Sequence, residues 1–126
     1  VRTHGIAFDG GTMIMSDIAA ASGDNAATDG GFHVITNFMS KFNAVADGGT
    51  LAVGQQIRYA GAATLMGNPV NVEYDADSDT VYVAELANGG GRVLAFTNVS
   101  TGGGGNATPA VNNSLAGVSS LYFYKG

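Results

Sequence analysis

The 126-residue chain has no cysteine, no tryptophan and only two prolines. Without cysteine it can form no disulfide framework and no thiolate zinc site, and it has no cysteine nucleophile. No apolar run approaches the roughly 20 residues that a membrane-spanning helix needs, so we expect no membrane span. These absences leave a protein that must be held together by ordinary packing and hydrogen bonding.

Charged side chains are also scarce: they make up 12% of the residues, and the formal net charge is −5. A nucleic-acid partner would require a basic stripe and a membrane surface would attract a basic helix face, so we expect neither partner. Because no catalytic constellation stands out, we expect a protein that is not an enzyme and that needs no cofactor. The low charge and the many small polar residues suit an extracellular or secreted protein. The chain begins at Val1 without a visible signal peptide, and we expect a mature or trimmed product, or part of a longer polypeptide.

Glycine is abundant, with 20 residues, and strand patterns are clearest within residues 68–98. Three runs there are apolar or alternate between apolar and polar residues, as strands do. The first break, residues 75–79, is rich in Asp and Ser, whose side chains favour turns. The second break, residues 88–91, contains three glycines that permit positive φ. This stretch predicts a three-stranded antiparallel meander.

Further strands and turns are predicted outside the meander. Ile6 and Phe8 begin a hairpin that turns at residues 9–11 and returns through residues 13–15. Residues 18–31 predict a long loop. The remaining predictions are a strand at 32–38, a hairpin at 42–53 around the turn 47–50, a strand within 55–66 with a short helix as the alternative, a flexible Gly-rich linker at 100–107, and a final strand at 118–124.

Hydroxyl residues that follow turns indicate an internal repeat. Thr12, Thr50, Thr80 and Ser120 follow acidic or small turns at spacings of 38, 30 and 40 residues. A four-stranded propeller blade has a period of about 40 residues. The spacing predicts repeat units at residues 5–38, 42–66 and 68–98, within one β-rich region that covers residues 1–126.

Four segments carry a resemblance to a known superfamily: residues 5–9 (GIAFD), 68–75 (NPVNVEYD), 80–85 (TVYVAE) and 91–96 (GRVLAF). They resemble blades of the NHL and YncE-like β-propellers, which include lactonase-like enzymes. The resemblance implies about three blades, which is an incomplete ring because a closed propeller has about 4 to 8. In lactonase-like relatives acidic residues at strand ends bind a metal, and Asp9, Asp17, Asp47 and Glu85 occupy comparable places here.

The expected fold class is all-β, with propeller-like antiparallel meander repeats in an incomplete ring or, alternatively, rearranged into an intermolecular cross-β assembly. Unpaired strand edges pair with other chains, so we expect the partner to be a second copy of the chain. The expected function is that of an extracellular structural or interaction protein that self-associates through its β-strands into a homomeric filament or amyloid-like fibril. The alternatives are a β-propeller binding module, or a fragment of one, and a lactonase-like metal hydrolase. The aromatic, uncharged final strand predicts the self-association residues, which are Val118, Leu121, Tyr122, Phe123 and Tyr124.

We expect no metal site, although one acidic cluster offers a weak pattern for calcium. Asp75, Asp77 and Asp79 present carboxylates at alternate positions, and oxygen ligands suit Ca²⁺. The EF-hand pattern fails, because Thr80 stands where glycine and Leu86 where glutamate would be needed. A solvated hairpin tip is therefore the simpler interpretation.

Three asparagines are candidate glycosylation sites, because each begins an Asn-x-Ser/Thr triplet. They are Asn98, Asn106 and Asn112. The two histidines, His4 and His33, have no spacing that indicates metal binding or base catalysis.

Overall fold

The computed structural model describes residues 2–18 and 28–126, which form two four-stranded antiparallel sheets. Each sheet is a meander, with strands paired in chain order, and neither sheet closes on itself. Sheet A consists of β1 (Thr3–Asp9), β2 (Thr12–Asp17), β3 (Gly31–Ile35) and β4 (Ile57–Ala60). Sheet B consists of β5 (Pro69–Asp75), β6 (Thr80–Glu85), β7 (Arg92–Thr97) and β8 (Val111–Ser114). The prediction of an all-β fold is confirmed.

Helical structure in the described residues is limited to short pieces. They are one α-helix, α1 (Phe38–Asn43), and the 3₁₀ turns Val53–Gln55, Ala62–Thr64 and Asn88–Gly90. None of the described helices is long and apolar enough to cross a membrane.

The two sheets stack face to face, and their facing side chains form the core. Alternation along each strand supplies that face, with Ile14 and Phe32 from sheet A and Val83 and Phe96 from sheet B all buried. The Phe32 ring stacks on Tyr59 at 4.9 Å and meets Phe96 edge-on at 5.3 Å between centroids. Full burial of an aliphatic or aromatic side chain stabilises by about 1.5–3 kcal/mol, so this layer is the main source of stability.

The two sheets repeat the same strand pattern. Asp9 pairs with Thr12 across the first hairpin of sheet A, and Asp75 pairs with Thr80 across the first hairpin of sheet B. The second strands end in the buried acids Asp17 and Glu85. The third strands are followed by Asn37 and Asn98, which take left-handed φ values of 51° and 56°. The repeating unit is thus a whole sheet, and Thr12 corresponds to Thr80.

Three predictions about residues 32–66 need correction. The predicted hairpin at 42–53 does not form: Phe42 lies in α1, Val53 begins a 3₁₀ turn, and no strand of residues 2–18 and 28–126 pairs with this mostly exposed stretch. The predicted unit 42–66 therefore contributes only β4, which confirms a strand within 55–66 but assigns it to sheet A. The strand predicted at 32–38 ends at Ile35, because Asn37 turns the backbone and α1 follows.

The meander predicted over residues 68–98 is confirmed as β5, β6 and β7. Its second turn has the positive φ values expected of glycine, 64° at Gly89 and 84° at Gly90. The first turn is a tight connection at residues 76–79, where Asp79 also has a positive φ of 50°.

Two predictions about the last 27 residues are wrong. The Gly-rich stretch predicted as a flexible linker is held on the edge of sheet A, where Gly105 N donates to Arg58 O at 2.8 Å and Ala60 N donates to Gly105 O at 3.1 Å. Residues 118–124, predicted as a strand, form none, because no strand in the described part of the chain offers them a ladder of backbone partners. Most of the loop predicted at 18–31 lies outside the described residues.

Candidate functional site

An exposed apolar surface lies on the side of sheet A that faces away from sheet B. We call it the outer face of sheet A; it consists of Ile6, Phe8, Met13 and Met15, which pair across β1 and β2 as Ile6 with Met15 and Phe8 with Met13. Ile6 is 60% exposed and Phe8 is 51% exposed, and the two methionines are half-buried. Large contiguous apolar patches on the surface of a protein often mark interaction sites.

The apolar surface continues from β1 onto α1. The Phe8 ring meets Phe38 edge-on at 6.1 Å, and Phe38 stacks on Phe42 at 5.5 Å between centroids. Phe42 and Met39 are both more than half exposed. Phe38 N donates to Gly11 O at 2.9 Å, so the helix begins beside the β1–β2 turn and extends the apolar surface from that turn.

The repeat gives the outer face of sheet A a counterpart inside the protein. Aligning Asp9 with Asp75 and Thr12 with Thr80 matches Ile6 and Phe8 with two residues of β5. Those two residues, Val72 and Tyr74, are buried against sheet A. The same alignment matches Met13 and Met15 with the core residues Val81 and Val83. The outer face of sheet A therefore has the pattern of a face that packs on another sheet.

Sequence reasoning missed this surface, although a signal was present. Met13, Ile14 and Met15 are three consecutive apolar residues in β2, so both faces of the strand are apolar. Strands that are covered on both faces have such continuous runs.

The outer face of sheet B is covered by residues 118–124, which we call the C-terminal segment. Leu121 N donates to Asn71 Oδ1 at 2.8 Å, and the Phe123 ring stacks on Tyr82 at 5.3 Å with 16° between planes. A cavity of about 110 Å³ remains beneath the segment, lined by Glu73, Tyr82, Val93, Leu121, Tyr122 and Phe123. Burial raises the pKa of the Glu73 carboxyl in this apolar setting.

The predicted self-association residues do not share one environment. Val118 is buried, and Leu121 and Phe123 are half-buried against sheet B. Tyr122 is 85% exposed and Tyr124 is 74% exposed. Only the two tyrosines of this set are therefore fully available to a partner.

Two members of the acidic cluster Asp75, Asp77 and Asp79, the weak candidate for calcium, bind a lysine side chain. Lys125 Nζ lies 2.7 Å from Asp9 Oδ2, 3.1 Å from Asp75 Oδ1 and 3.3 Å from Asp77 Oδ2. The hydrogen bond from Lys125 lowers the pKa of Asp9, and these carboxylates, Asp9 foremost, raise the pKa of Lys125. The Ser78 hydroxyl, together with Lys125, lowers the pKa of Asp75. Lys125 thus links sheet A to sheet B.

The third candidate ligand, Asp79, points elsewhere. It accepts hydrogen bonds from the Tyr74 hydroxyl at 3.0 Å and from Ser100 Oγ at 2.9 Å. Burial, together with the nearby Asp79 carboxylate, raises the pKa of Tyr74 to about 12. Across residues 2–18 and 28–126 no group of three or more His, Asp or Glu side chains is arranged to hold a metal ion.

The acidic strand ends implied by the lactonase resemblance are dispersed. Asp17 lies 3.2 Å from Arg58 Nη2 and 3.6 Å from His33 Nε2, and burial lowers the pKa of His33. Asp9 is bound to Lys125, and Asp47 is an exposed residue of the turn after α1.

Glu85, the fourth of these acids, is fully buried and accepts backbone N–H groups instead. The donors are Asn68 at 2.9 Å and Ala87 and Asn88 at 2.8 Å. Its carboxylate therefore holds the segment just before β5 to the segment just after β6, at the open end of the β5–β6 hairpin.

The three candidate glycosylation sites are exposed. Asn106 Oδ1 accepts from Ala63 N at 2.7 Å, and Asn112 Oδ1 accepts from Arg92 Nη1 at 2.9 Å. Asn98 lies at the left-handed position after β7. Of the histidines, His4 Nδ1 lies 3.1 Å from Val70 O and His33 lies beside Asp17, so the two are not brought together.

Comparisons with family models, with curated proteins and with solved structures found no match to this chain. The resemblance to β-propellers therefore stays a prediction from the sequence, and the geometry of the two sheets carries the functional argument.

Proposed function

We propose that this chain is a structural module that self-associates by stacking propeller-type β-sheets, and that the outer face of sheet A is its principal binding surface. One observation carries the proposal: Ile6 and Phe8 are exposed at positions whose counterparts, Val72 and Tyr74, are buried between the sheets. A second copy that covered this face would repeat an interface that the chain already forms within itself.

The energetics favour association only when the whole surface is covered. Burying the exposed parts of Ile6 and Phe8 contributes roughly 1–2 kcal/mol each. Association of two chains costs an estimated 4–15 kcal/mol in lost freedom of movement. Met13, Met15 and the aromatic row on α1 must therefore contribute as well.

The proposed contact joins two different surfaces of the molecule. The outer face of sheet A is apolar and open, whereas the outer face of sheet B carries the C-terminal segment. Contacts between unlike surfaces are head-to-tail, and they produce rings if the rotation closes and open filaments if it does not. A homomeric filament in an extracellular setting is the form that we propose.

Sedimentation velocity of the purified chain over a range of micromolar concentrations tests this function. We expect assembly that grows with concentration and that is lost in Phe8→Lys, because a lysine cannot be buried between apolar sheets without a large desolvation cost. Val53→Lys is the matched control, since Val53 is 74% exposed and lies outside both sheets. A wild-type chain that stays monomeric, or a Phe8→Lys variant that assembles as the control does, would overturn the proposal.

A second candidate is a binding module in which the sheets act as blades of one β-propeller. The observation that favours it is the agreement between the sheets in strand order, hairpin pairing and the left-handed asparagines Asn37 and Asn98. A discrete, closed particle of a few copies, found by light scattering and electron microscopy, would favour this candidate over a filament.

A further inference from the structure

The C-terminal segment occupies, on sheet B, the place that β5 occupies on sheet A. After β5, Ala76 N donates to Asp9 Oδ2 at the end of β1 at 3.0 Å. After the C-terminal segment, the side-chain Nζ of Lys125 reaches Asp75 Oδ1 at the end of β5 at 3.1 Å, and it also reaches Asp9 Oδ2 at 2.7 Å. Because Asp9 and Asp75 are repeat counterparts, the segment is placed as the first strand of a further sheet.

Side-chain packing gives the same correspondence. Val72 and Tyr74 of β5 face sheet A, and Leu121 and Phe123 face sheet B, with Phe123 stacked on Tyr82. Tyr122, between them, is 85% exposed. The segment therefore has one covered side and one side without a neighbour.

The segment differs from β5 in having no neighbouring strand. β5 pairs with β6 along its length, whereas residues 118–124 pair with no strand in the part of the chain that the structure describes. The Leu121 N–H is used by Asn71 Oδ1. In an extended segment successive N–H groups point in opposite directions, so we expect the N–H groups of Tyr122 and Tyr124 to point away from the edge that Leu121 uses.

We infer that the C-terminal segment of one copy adds as a strand to sheet A of the next copy, alongside β1. The inference rests on the proposed function and specifies its contact. β1 is the end strand of sheet A, so its outer edge has no partner strand within the described residues. Adding the segment there satisfies backbone groups on both edges, which is the energetic basis of strand addition.

Strand addition and sheet stacking support each other in this arrangement. With the segment beside β1, the outer face of sheet A of the second copy lies over Tyr82 and Val93 of the first copy. Those residues line the apolar cavity that the segment leaves partly open. The edges also lack the usual guards, since the chain has five Lys and Arg residues and two prolines in all. A second copy therefore fits both the open edge and the open face.

A pair of substitutions at Tyr122 tests the strand addition. Tyr122→Pro removes the N–H on the open edge, and Tyr122→Ala removes a similar amount of side chain while keeping that N–H. We expect the proline variant to weaken assembly by about tenfold or more in sedimentation velocity, and the alanine variant to change it by less than about threefold. The high exposure of Tyr122 lets both variants fold, which circular dichroism and a urea midpoint would verify.

Amide hydrogen exchange of the wild-type chain gives a second, independent readout. We expect slower exchange in residues 118–124 and in β1 when the chain is assembled than when it is dilute. Equal assembly by the two Tyr122 variants, or unchanged exchange in both regions on assembly, would overturn the strand addition. If Phe8→Lys still abolished assembly in that case, the sheet-stacking function would stand and only the strand addition would fail. If the wild-type chain never assembled, both would fail.

Discussion

Replacing Glu85 by alanine removes one acceptor that serves three backbone donors. The carboxylate is fully buried and accepts from the N–H groups of Asn68, Ala87 and Asn88 at 2.8–2.9 Å. These donors lie before β5 and after β6, so they hold the open end of the hairpin. No other acceptor is in place for them within the described residues.

The expected loss of stability depends on whether each N–H group can bind water once the Glu85 carboxylate is gone. The Ala87 N–H is buried, and an unsatisfied buried donor costs about 1–3 kcal/mol. The Asn68 and Asn88 N–H groups are partly exposed and can bind water instead. The loss of each of these hydrogen bonds therefore lowers the stability by roughly 1 kcal/mol. Removing the carboxylate also removes its own desolvation cost, which offsets part of the loss. We expect Glu85→Ala to lower the free energy of unfolding by about 2–4 kcal/mol, out of the 5–15 kcal/mol typical of a folded protein.

Urea unfolding followed by far-ultraviolet circular dichroism measures this change. Glu73→Ala is the matched control, because Glu73 lies on the neighbouring strand, is partly buried, and forms no hydrogen bond or ion pair within the described residues. We expect the control to be as stable as the wild type or slightly more so. A Glu85→Ala variant within about 0.5 kcal/mol of the control would refute the role given to these hydrogen bonds.

Three further predictions concern ionisation. Burial raises the pKa of Glu73 above its unfolded value, so its ionisation destabilises the fold as pH rises through that pKa; Glu73→Gln should therefore be more stable than the wild type at pH 7 and equally stable near pH 3, and equal urea midpoints at pH 7 would contradict this. Lys125 helps to lower the pKa of Asp9 and Asp75, so their stabilisation is present at neutral pH and is lost as pH falls through the folded-state values. Lys125→Met should thus lose less stability than the wild type on acidification, and parallel pH profiles of the urea midpoint would argue against the bridge. Tyr74 should ionise at about 12, so rapid alkaline titration of tyrosinate absorbance should show a late component that Tyr74→Phe lacks; titration of every tyrosine near pH 10 would be the opposite result.

The parts of the fold that could be predicted are those that depend on local sequence. In residues 68–98 both the alternation of apolar and polar residues and the turn signals lie close together in the sequence. The strands that they define also pair with one another. The hairpin at residues 42–53 was wrong for the converse reason. Its turn resembles the one at residues 9–11, but its flanks are short and none of the described strands lies beside them. The turn motif alone carried too little information to determine pairing.

The candidate site depends on contacts that span most of the chain, and these could not be predicted. The sequence predicts a strand at Ile6 and Phe8, but which side of that strand is covered depends on where sheet B packs. The aromatic composition of residues 118–124 favours a strand, yet a strand needs a ladder partner that the described residues do not supply. The hydrogen bonds of the buried Glu85 likewise join a segment before β5 to a segment after β6. The residues next to Glu85 in the sequence do not indicate that these two segments meet.

The meander order has a consequence for how the chain emerges during synthesis. Strands within a sheet are close in sequence and can pair within microseconds, whereas the contact between Ala76 and Asp9 joins residues 67 positions apart. Sheet A is therefore complete while sheet B is still being made. About 50 residues separate β4 from the end of β8, and at roughly 5–20 residues per second Phe32 and Ile14 wait on the order of 3–10 s for their cover. During that interval a nascent sheet A presents two apolar faces, and this is when chaperones on the ribosome have the most to shield.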